Sequence, residues 1–517
     1  MSGGATGIGL VAVGALLALA ATVYLAVLAT RRLTRPTART QAAEQRRFAR
    51  NAITPIAVSL IDRAMFWVFM VVVLRFIGPE GNGHYTFATT LLAYFAVIVD
   101  FGLGTLVTRD VARDSAGLAR IFRSALALRA RLLAVSMPAM VGIALIYWAA
   151  GAIDGLALIT TGVLALGLPL SAVNQAYAAV YGAWERMDRR ALVVAGTSAL
   201  TAGLGLLLLA AGFGVVGVAL AGLISSGVTL IAIGRPVGFG LLRRAVRVPH
   251  HDLRGLARDA LPLMLNSLLA TAFIQIDILI LQALQGTEIV GHYNAAFKFL
   301  NALNNLPSAV VLAAFPLMAR ASADPAELAR WFTRAWRILA TAAAAAVMLL
   351  FVLAEPVIEA LIGSDFLPQT ATALAILIWF LPLSYLNGTL QYVVIASDRQ
   401  WRLTPIFLAA TLINVGLNLA LVPTWGFVAA AATTIGSEVA LLAGLGWILR
   451  RDRLLGRVLE PAARPLVAGA VAAVVAVLLR DLSWIGAALA ALATYLVVLT
   501  AIGGLQLSAI RNLVRSS

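Results

Sequence analysis

Runs of about 20 apolar residues follow one another along nearly the whole chain, and they leave few folds open. As a helix, ~20 residues rise ~30 Å, the thickness of a hydrocarbon core. Lipid offers the backbone no hydrogen-bond partners, so only helices and closed barrels cross it. The alternating ten-residue pattern of barrel strands is missing. With 61% hydrophobic and 12% charged residues, the 517-residue chain cannot cover itself with polar surface, since soluble proteins carry about 25% charged residues. The expected fold class is all-α, a polytopic integral membrane protein.

Fourteen spans are predicted at 54–77, 84–108, 126–150, 156–181, 191–211, 215–234, 260–283, 289–318, 332–354, 370–395, 403–422, 427–449, 465–480 and 484–505, called TM1 to TM14. A leading helix at 7–29 makes about 15. Its Ala18-Leu19-Ala20 has the form of a signal-peptide cleavage site. However, no basic residue precedes it and the apolar run continues to Ala29, so an uncleaved anchor is expected. Gly14, Ala18 and Thr22 give that helix one small-residue face suited to packing.

Charge sets the orientation. All but four of the 39 Lys and Arg fall in alternate loops or at the adjoining helix ends; the exceptions are Arg63, Arg75, Lys298 and Arg480. By the positive-inside rule those loops are cytoplasmic, with the N-terminus outside and the C-terminus inside an inner (plasma) membrane. The net charge of +16 is thus spent on topology, and no nucleic-acid partner is expected. Cysteine is absent, which excludes disulfides, thiolate metal sites and a cysteine nucleophile.

The chain also repeats itself. GPEGNGHY at Gly78–Tyr85 returns as GTEIVGHY at Gly286–Tyr293, and GFGVVGVALA from Gly212 is echoed by TWGFVAAAAT from Thr424. The offsets, 208 and 212 residues, carry six spans each. An even number preserves direction, so two parallel six-helix lobes are expected, with TM13 and TM14 outside the repeat. The implied organisation is 1–50 anchor helix and basic linker, 51–259 N-lobe, 260–464 C-lobe, and 465–517 TM13, TM14 and a cytoplasmic tail. GFGVVG also fits GxGxxG, but it turns between membrane helices and follows no strand, so no dinucleotide site is expected. His84 and His292 open interfacial helices without an HExxH pattern; no metal and no catalytic set is expected. In each loop Gly suits the tight turn, and Glu80 or Glu288 sits near the positive start of the next helix.

A charge at mid-membrane costs about 2.5–3.5 kcal/mol on insertion scales, so such residues face a cavity or a partner. Here they are Asp62, Arg63, Asp100, Asp277, Lys298 and Glu438. Asp62, Arg63 and Asp100 lie ~12 Å from the cytoplasmic end of TM1 or TM2, which makes Arg63 the one base shared by two acids. One of those acids is then expected to take up H+ or Na+ during a cycle; no other cofactor is expected. Asp277 and Lys298 lie ~9 and ~15 Å below the outer face, a second acid–base pair. Asn294, Lys298, Asn301 and Asn305 are spaced to share one face of TM8. Amides around the single Lys suit sugar hydroxyls and a phosphate, although interhelical hydrogen bonding explains amides too. Tyr177, Tyr181, Asn387, Gln391, Asn414 and Asn418 are weaker candidates. At the start of TM9, Asp324, Pro325 and Glu327 form an N-terminal cap, followed by a basic stripe of Arg330, Arg334 and Arg337.

Residues 75–114, RFIGPEGNGHYTFATTLLAYFAVIVDFGLGTLVTRDVARD, resemble the first hairpin of the Wzx-type polysaccharide transporters of the multidrug/oligosaccharidyl-lipid/polysaccharide exporter superfamily. Gly78, Pro79, Glu80, Gly83, Tyr85, Asp100, Gly102, Arg109 and Arg113 carry the match, and residues 291–320 resemble the second hairpin. The leading helix departs from the pattern. The resemblance implies two lobes around a cavity that opens alternately to either side. It implies a flippase moving undecaprenyl-(pyro)phosphate-linked oligosaccharide to the outer leaflet, with membrane lipids and the glycosyltransferases or polymerase of that pathway as partners. TM13 and TM14 would then form a groove for the polyprenyl tail. On this reading Lys298 and Arg63, with Asn294, Asn301 and Asn305, hold the substrate, while Asp62, Asp100 and Asp277 form coupling or gating ion pairs. Two alternatives stand beside it: a multidrug antiporter of the same superfamily, and a membrane polymerase or ligase.

Overall fold

The computed structural model describes residues 41–238, 250–304, 306–322, 324–450 and 458–504; side chains at 41–64, 188, 250–252, 306, 308, 309 and 312 are outside that description. The leading helix, Asn305 and the C-terminal tail therefore lie outside the described residues. What is described is helical, without strands. Eleven of the helices are long and apolar enough to cross a membrane, and two of those spans, Met65–Arg113 and Gln400–Ile448, are 49 residues each. The protein is a multi-pass membrane protein, and the described helices cover most of each of the fourteen stretches expected after residue 54.

In chain order the helices are α1 (Gln41–Asp100), α2 (Leu103–Arg113), α3 (Leu118–Ala149), α4 (Gly155–Ala183), α5 (Met187–Ala210), α6 (Gly214–Val237), α7 (His250–Gln285), α8 (Thr287–Leu303) and α9 (Leu306–Arg320). They continue as α10 (Pro325–Val352), α11 (Ala354–Ile362), α12 (Gln369–Leu377), α13 (Phe380–Ala396), α14 (Leu403–Ile448), α15 (Leu459–Leu479) and α16 (Trp484–Ala501).

The sequence repeat is written in the backbone. Gly78 bends α1 with φ 65°, and its counterpart Gly286 has φ 82°. Gly214 and Gly426, paired in the second echo, have φ 52° and 56°. Side chains rarely adopt this left-handed region. A Cβ at Gly78, Gly214 or Gly286 would meet nothing within 4 Å, so these glycines are needed for conformation and not for room.

Gly83 and Gly291 serve the opposite need. A Cβ on Gly83 would strike the Thr287 carbonyl, and one on Gly291 would strike the Pro79 carbonyl. Pro79 and Thr287 hold the same position in the two copies, so each loop's glycine packs on the other's second residue, the reciprocity of a two-fold contact. Asn82 Nδ2 adds a hydrogen bond to the Gly291 carbonyl at 2.6 Å.

Three expected spans are broken: TM10 is divided into α12 and α13 at Ile378–Trp379, and TM2 and TM8 are cut as follows. TM2 stops at Asp100, where Phe101 (φ 52°) and Gly102 (φ 74°) interrupt it before α2. A Cβ on Gly102 would collide with Leu263 of α7, so glycine is required there twice over. TM8 is two helices, α8 and α9, parted at Asn304. The freed Leu303 carbonyl accepts a hydrogen bond from Tyr385 Oη at 2.6 Å, so the interruption costs no buried unpaired acceptor.

The chain divides into two compact units, one ending at Gly291 and the other starting at His292. The first takes in TM7, which the sequence repeat assigns to the C-lobe. The reason is local: Tyr147 Oη donates to the Leu279 carbonyl (3.2 Å) and Gln282 Nε2 to the Ala152 carbonyl (2.7 Å). In the second unit α15 and α16 pack on α10 along Ala344, Ala468, Ala472, Ala476 and Ala491. Small side chains let helices approach closely where no hydrophobic effect drives them together. Tyr495 Oη to the Thr341 carbonyl (2.7 Å) and Trp336 Nε1 to the Val458 carbonyl (2.9 Å) fix the register.

Candidate functional site

The polar residues of the first unit converge on a cleft of about 520 Å³, lined by Asp100, Thr105, Thr108, Arg109, Gln175 and Arg190 among others. The break after Asp100 lets α2 diverge from α1 and pack on α4, where Thr108 Oγ1 lies 3.1 Å from the Ala179 carbonyl. Asp100 is 23% exposed and accepts a hydrogen bond from Arg129 Nη2 at 2.5 Å, while the Arg129 side chain is wholly buried. Its Nε and Nη1 are buried as well and have no hydrogen-bond partner. Arg109 Nε pairs with the neighbouring Asp110 at 2.7 Å. With Asp100 neutralised from behind by Arg129 and Arg109 paired with Asp110, Arg190 carries the remaining charge among the described residues of the cleft, which leaves it suited to an anion.

Arg129 was missed in the sequence, where it counts among the basic residues of a helix end. The helix starts earlier than expected, at Leu118, which puts Arg129 ~16 Å along it. A signal was there: Phe122, Leu126, Arg129, Ser136 and Met140 fall on one helical face, and all are buried. Among the described residues the partner of Asp100 is Arg129, a base that the shared-base reading of Arg63 did not count. Asp62 and Arg63 lie on α1, with their side chains outside the description.

In the second unit Lys298 and Asn294 are half-buried on α8 and Asn301 is exposed. The face ends where α8 stops at Leu303, and Ser384 Oγ reaches Asn304 Oδ1 there at 3.3 Å. Interrupted helices in transporters gather around substrate and ion sites, and Lys298 lies less than two turns from this one. Asp277 is buried on α7 of the first unit, its Oδ1 accepting from the Ile278 N–H at 2.9 Å.

Several weaker candidates turn out to hold helices together. Asn387 Nδ2 donates to Glu438 Oε2 (2.6 Å) and to the Glu438 carbonyl (2.9 Å), joining α13 to α14. Asn414 Nδ2 donates to Ser437 Oγ (2.7 Å) across the bend in α14, and Asn418 Nδ2 returns to Asn414 Oδ1 (3.0 Å). Tyr177 and Tyr181 donate to the Gly238 and Ile233 carbonyls, both at 3.3 Å. Gln391 is half-buried, one turn beyond Asn387.

One group among the described residues has metal-like spacing: Glu80, His84 and Asp154, with ligand atoms within 4.8 Å. Asp154 Oδ1 accepts from the Ala157 N–H (2.8 Å) as the N-cap of α4 and stands 3.0 Å from His84 Nε2. The second copy differs, since His292 Nδ1 meets Thr370 Oγ1 at 3.1 Å. The first histidine thus pairs with a helix cap and the second with a hydroxyl.

Residues 48–322 match the family described as "Polysaccharide biosynthesis protein". No curated protein matches the sequence. Among solved structures, the lipid II flippase MurJ in an inward closed conformation is similar at TM-score 0.71 and 12% identity, covering 87% of this chain and 99% of MurJ. An inward-facing multidrug resistance MATE transporter follows at TM-score 0.61 and 20% identity, covering 75% of this chain and 95% of its own. A superfamily transporter from Pyrococcus furiosus matches at 0.53 and 19%, covering 78% and 94%. These likenesses speak for the fold, and the family match spans more than half the sequence. The chain belongs to the polysaccharide biosynthesis protein family and has the fold of the MOP transporters.

Proposed function

We propose that the protein is a flippase that moves an anionic, undecaprenyl-(pyro)phosphate-linked oligosaccharide from the cytoplasmic to the outer leaflet by alternating access. The observation that carries this reading is the arginine-walled cleft at Asp100, Arg109 and Arg190 in a chain of this family. MurJ, which shares the fold, is described as a lipid II flippase. A pyrophosphate entering a low-dielectric site needs fixed positive charge, and the cleft supplies it at the arginine-rich end. That end is cytoplasmic by the positive-inside rule, with the N-terminus outside and the C-terminus inside. Lys298, Arg63, Asn294, Asn301 and Asn305 are proposed to take the head group and sugar. Asp62, Asp100 and Asp277 are the carboxylates through which H+ or Na+ would couple. A multidrug antiporter of organic cations would be expected to present a net acidic cavity, and the cleft is net basic. Among the described residues no catalytic constellation supports the polymerase or ligase reading.

The test is a clean gene deletion, complemented with wild-type or Arg109→Gln/Arg190→Gln protein. Surface polysaccharide should disappear while its lipid-linked precursor collects in the inner leaflet, and only the wild type should restore it. Normal surface polysaccharide in the deletion strain, with no second flippase present, overturns the proposal.

A further inference from the structure

A cleft of about 670 Å³ in the second unit has no part in the proposed transport path. It lies between the two arms of α14, lined by Pro405, Ile406, Ala409, Ala410 and Ile413 on one arm and Ala440, Gly444, Trp447 and Ile448 on the other. Its mouth is made by Arg399, Trp401, Arg402 and Arg450, and among the described residues no carboxylate lines it. Trp401 and Trp447 are 70% and 61% exposed. Arg402 stacks on Trp401 and Arg450 on Trp447, each guanidinium 5.1 Å from the ring centre.

We propose that this cleft is a binding site for one anionic phospholipid, its phosphate at Arg402 and Arg450 and one acyl chain along the α14 groove. Three features specify the occupant. Tryptophan and arginine together mark the headgroup level of a bilayer, and basic pockets between membrane helices bind anionic head groups. From Arg402 to Ile413 the groove descends ~16 Å, about half of a ~30 Å hydrocarbon core, the depth of a single leaflet. Its walls are small or branched apolar side chains, narrow where Gly444 lets Ile406 approach. A chain of one leaflet's length fits this groove. A polyprenyl tail is several times longer and calls for a path across both leaflets.

The test uses the full-length protein in a neutral detergent. Binding of phosphatidylglycerol and of phosphatidylcholine with matched acyl chains is measured by native mass spectrometry and by thermal shift. The wild type should prefer the anionic lipid by about tenfold or more. Arg402→Gln/Arg450→Gln, at exposed positions, should lose that preference while still binding both lipids weakly. Ala409→Phe, which fills the groove and keeps the arginines, should lose both. Equal binding of the two lipids by the wild type overturns the proposal, as does a preference that survives the double substitution. Displacement of phosphatidylglycerol by equimolar undecaprenyl phosphate would also overturn it, assigning the groove to the carrier lipid. Because none of these readouts involves transport, failure here leaves the flippase reading standing, and failure of that reading leaves this one.

Discussion

Arg129 and Asp100 pair across 2.5 Å with unequal burial: the guanidinium is fully enclosed, and the carboxylate keeps a quarter of its surface in the cleft. Removing the two partners should therefore cost different amounts. Asp100→Asn leaves a buried cation with no charged partner and two donors already unsatisfied, a loss of about 3–5 kcal/mol. Arg129→Gln leaves a carboxylate that water can reach, a loss of about 1–3 kcal/mol. Unfolding of the two purified variants should rank them in that order, and the reverse order refutes the asymmetry.

Lys298→Ala should abolish transport with the protein still inserted in the membrane, whereas Lys298→Arg should retain part of it. Flipping of a fluorescent polyprenyl-phosphate oligosaccharide in proteoliposomes measures both. Native rates for the alanine variant would remove Lys298 from the head-group site.

The loop glycines should separate by the kind of residue that replaces them. At Gly286 the demand is a positive φ in open space, so Gly286→Asn should be milder than Gly286→Val. At Gly291 the demand is room against the Pro79 carbonyl, and Gly291→Asn should be as damaging as Gly291→Val. Expression level and melting temperature of the four variants check this; equal tolerance of asparagine at both positions contradicts it.

Glu438→Leu removes the acceptor of Asn387 Nδ2 in the α13–α14 contact and should cost about 1–3 kcal/mol. Glu438→Gln, which keeps a side-chain oxygen at that position, should be near neutral in unfolding measurements.

Periodicity and length sufficed for the spans, because lipid permits so few backbone arrangements. They did not show where a span is cut. Phe101–Gly102 and Asn304 interrupt helices whose composition stays apolar on both sides, and the cause of each break lies elsewhere in the chain: Leu263 crowding Gly102, Tyr385 donating to the loose carbonyl of Leu303. The candidate site was half legible. Asp100 stood out as an acid inside an apolar run. Arg129 did not, because an arginine near a helix start reads as a topology signal until the helix is seen to begin three turns earlier. Arg109 and Arg190 were hidden the same way. Asn414 and Asn418 looked available for sugar because Ser437, the partner of Asn414, lies across the bend at Gly426, and Asn418 turns back on Asn414.

The contact between the two copies of the loop is made by glycine α-carbons against carbonyl groups, with one amide hydrogen bond from Asn82. Neither a glycine α-carbon, a backbone carbonyl nor the Asn82 amide titrates or carries a net charge that salt could screen. Acid, alkali and ionic strength are therefore expected to leave these glycine–carbonyl approaches themselves unchanged. On the proposed function, an ion that parts these glycine contacts acts on them through the helices that carry the loops, with Gly78 and Gly286 as the joints.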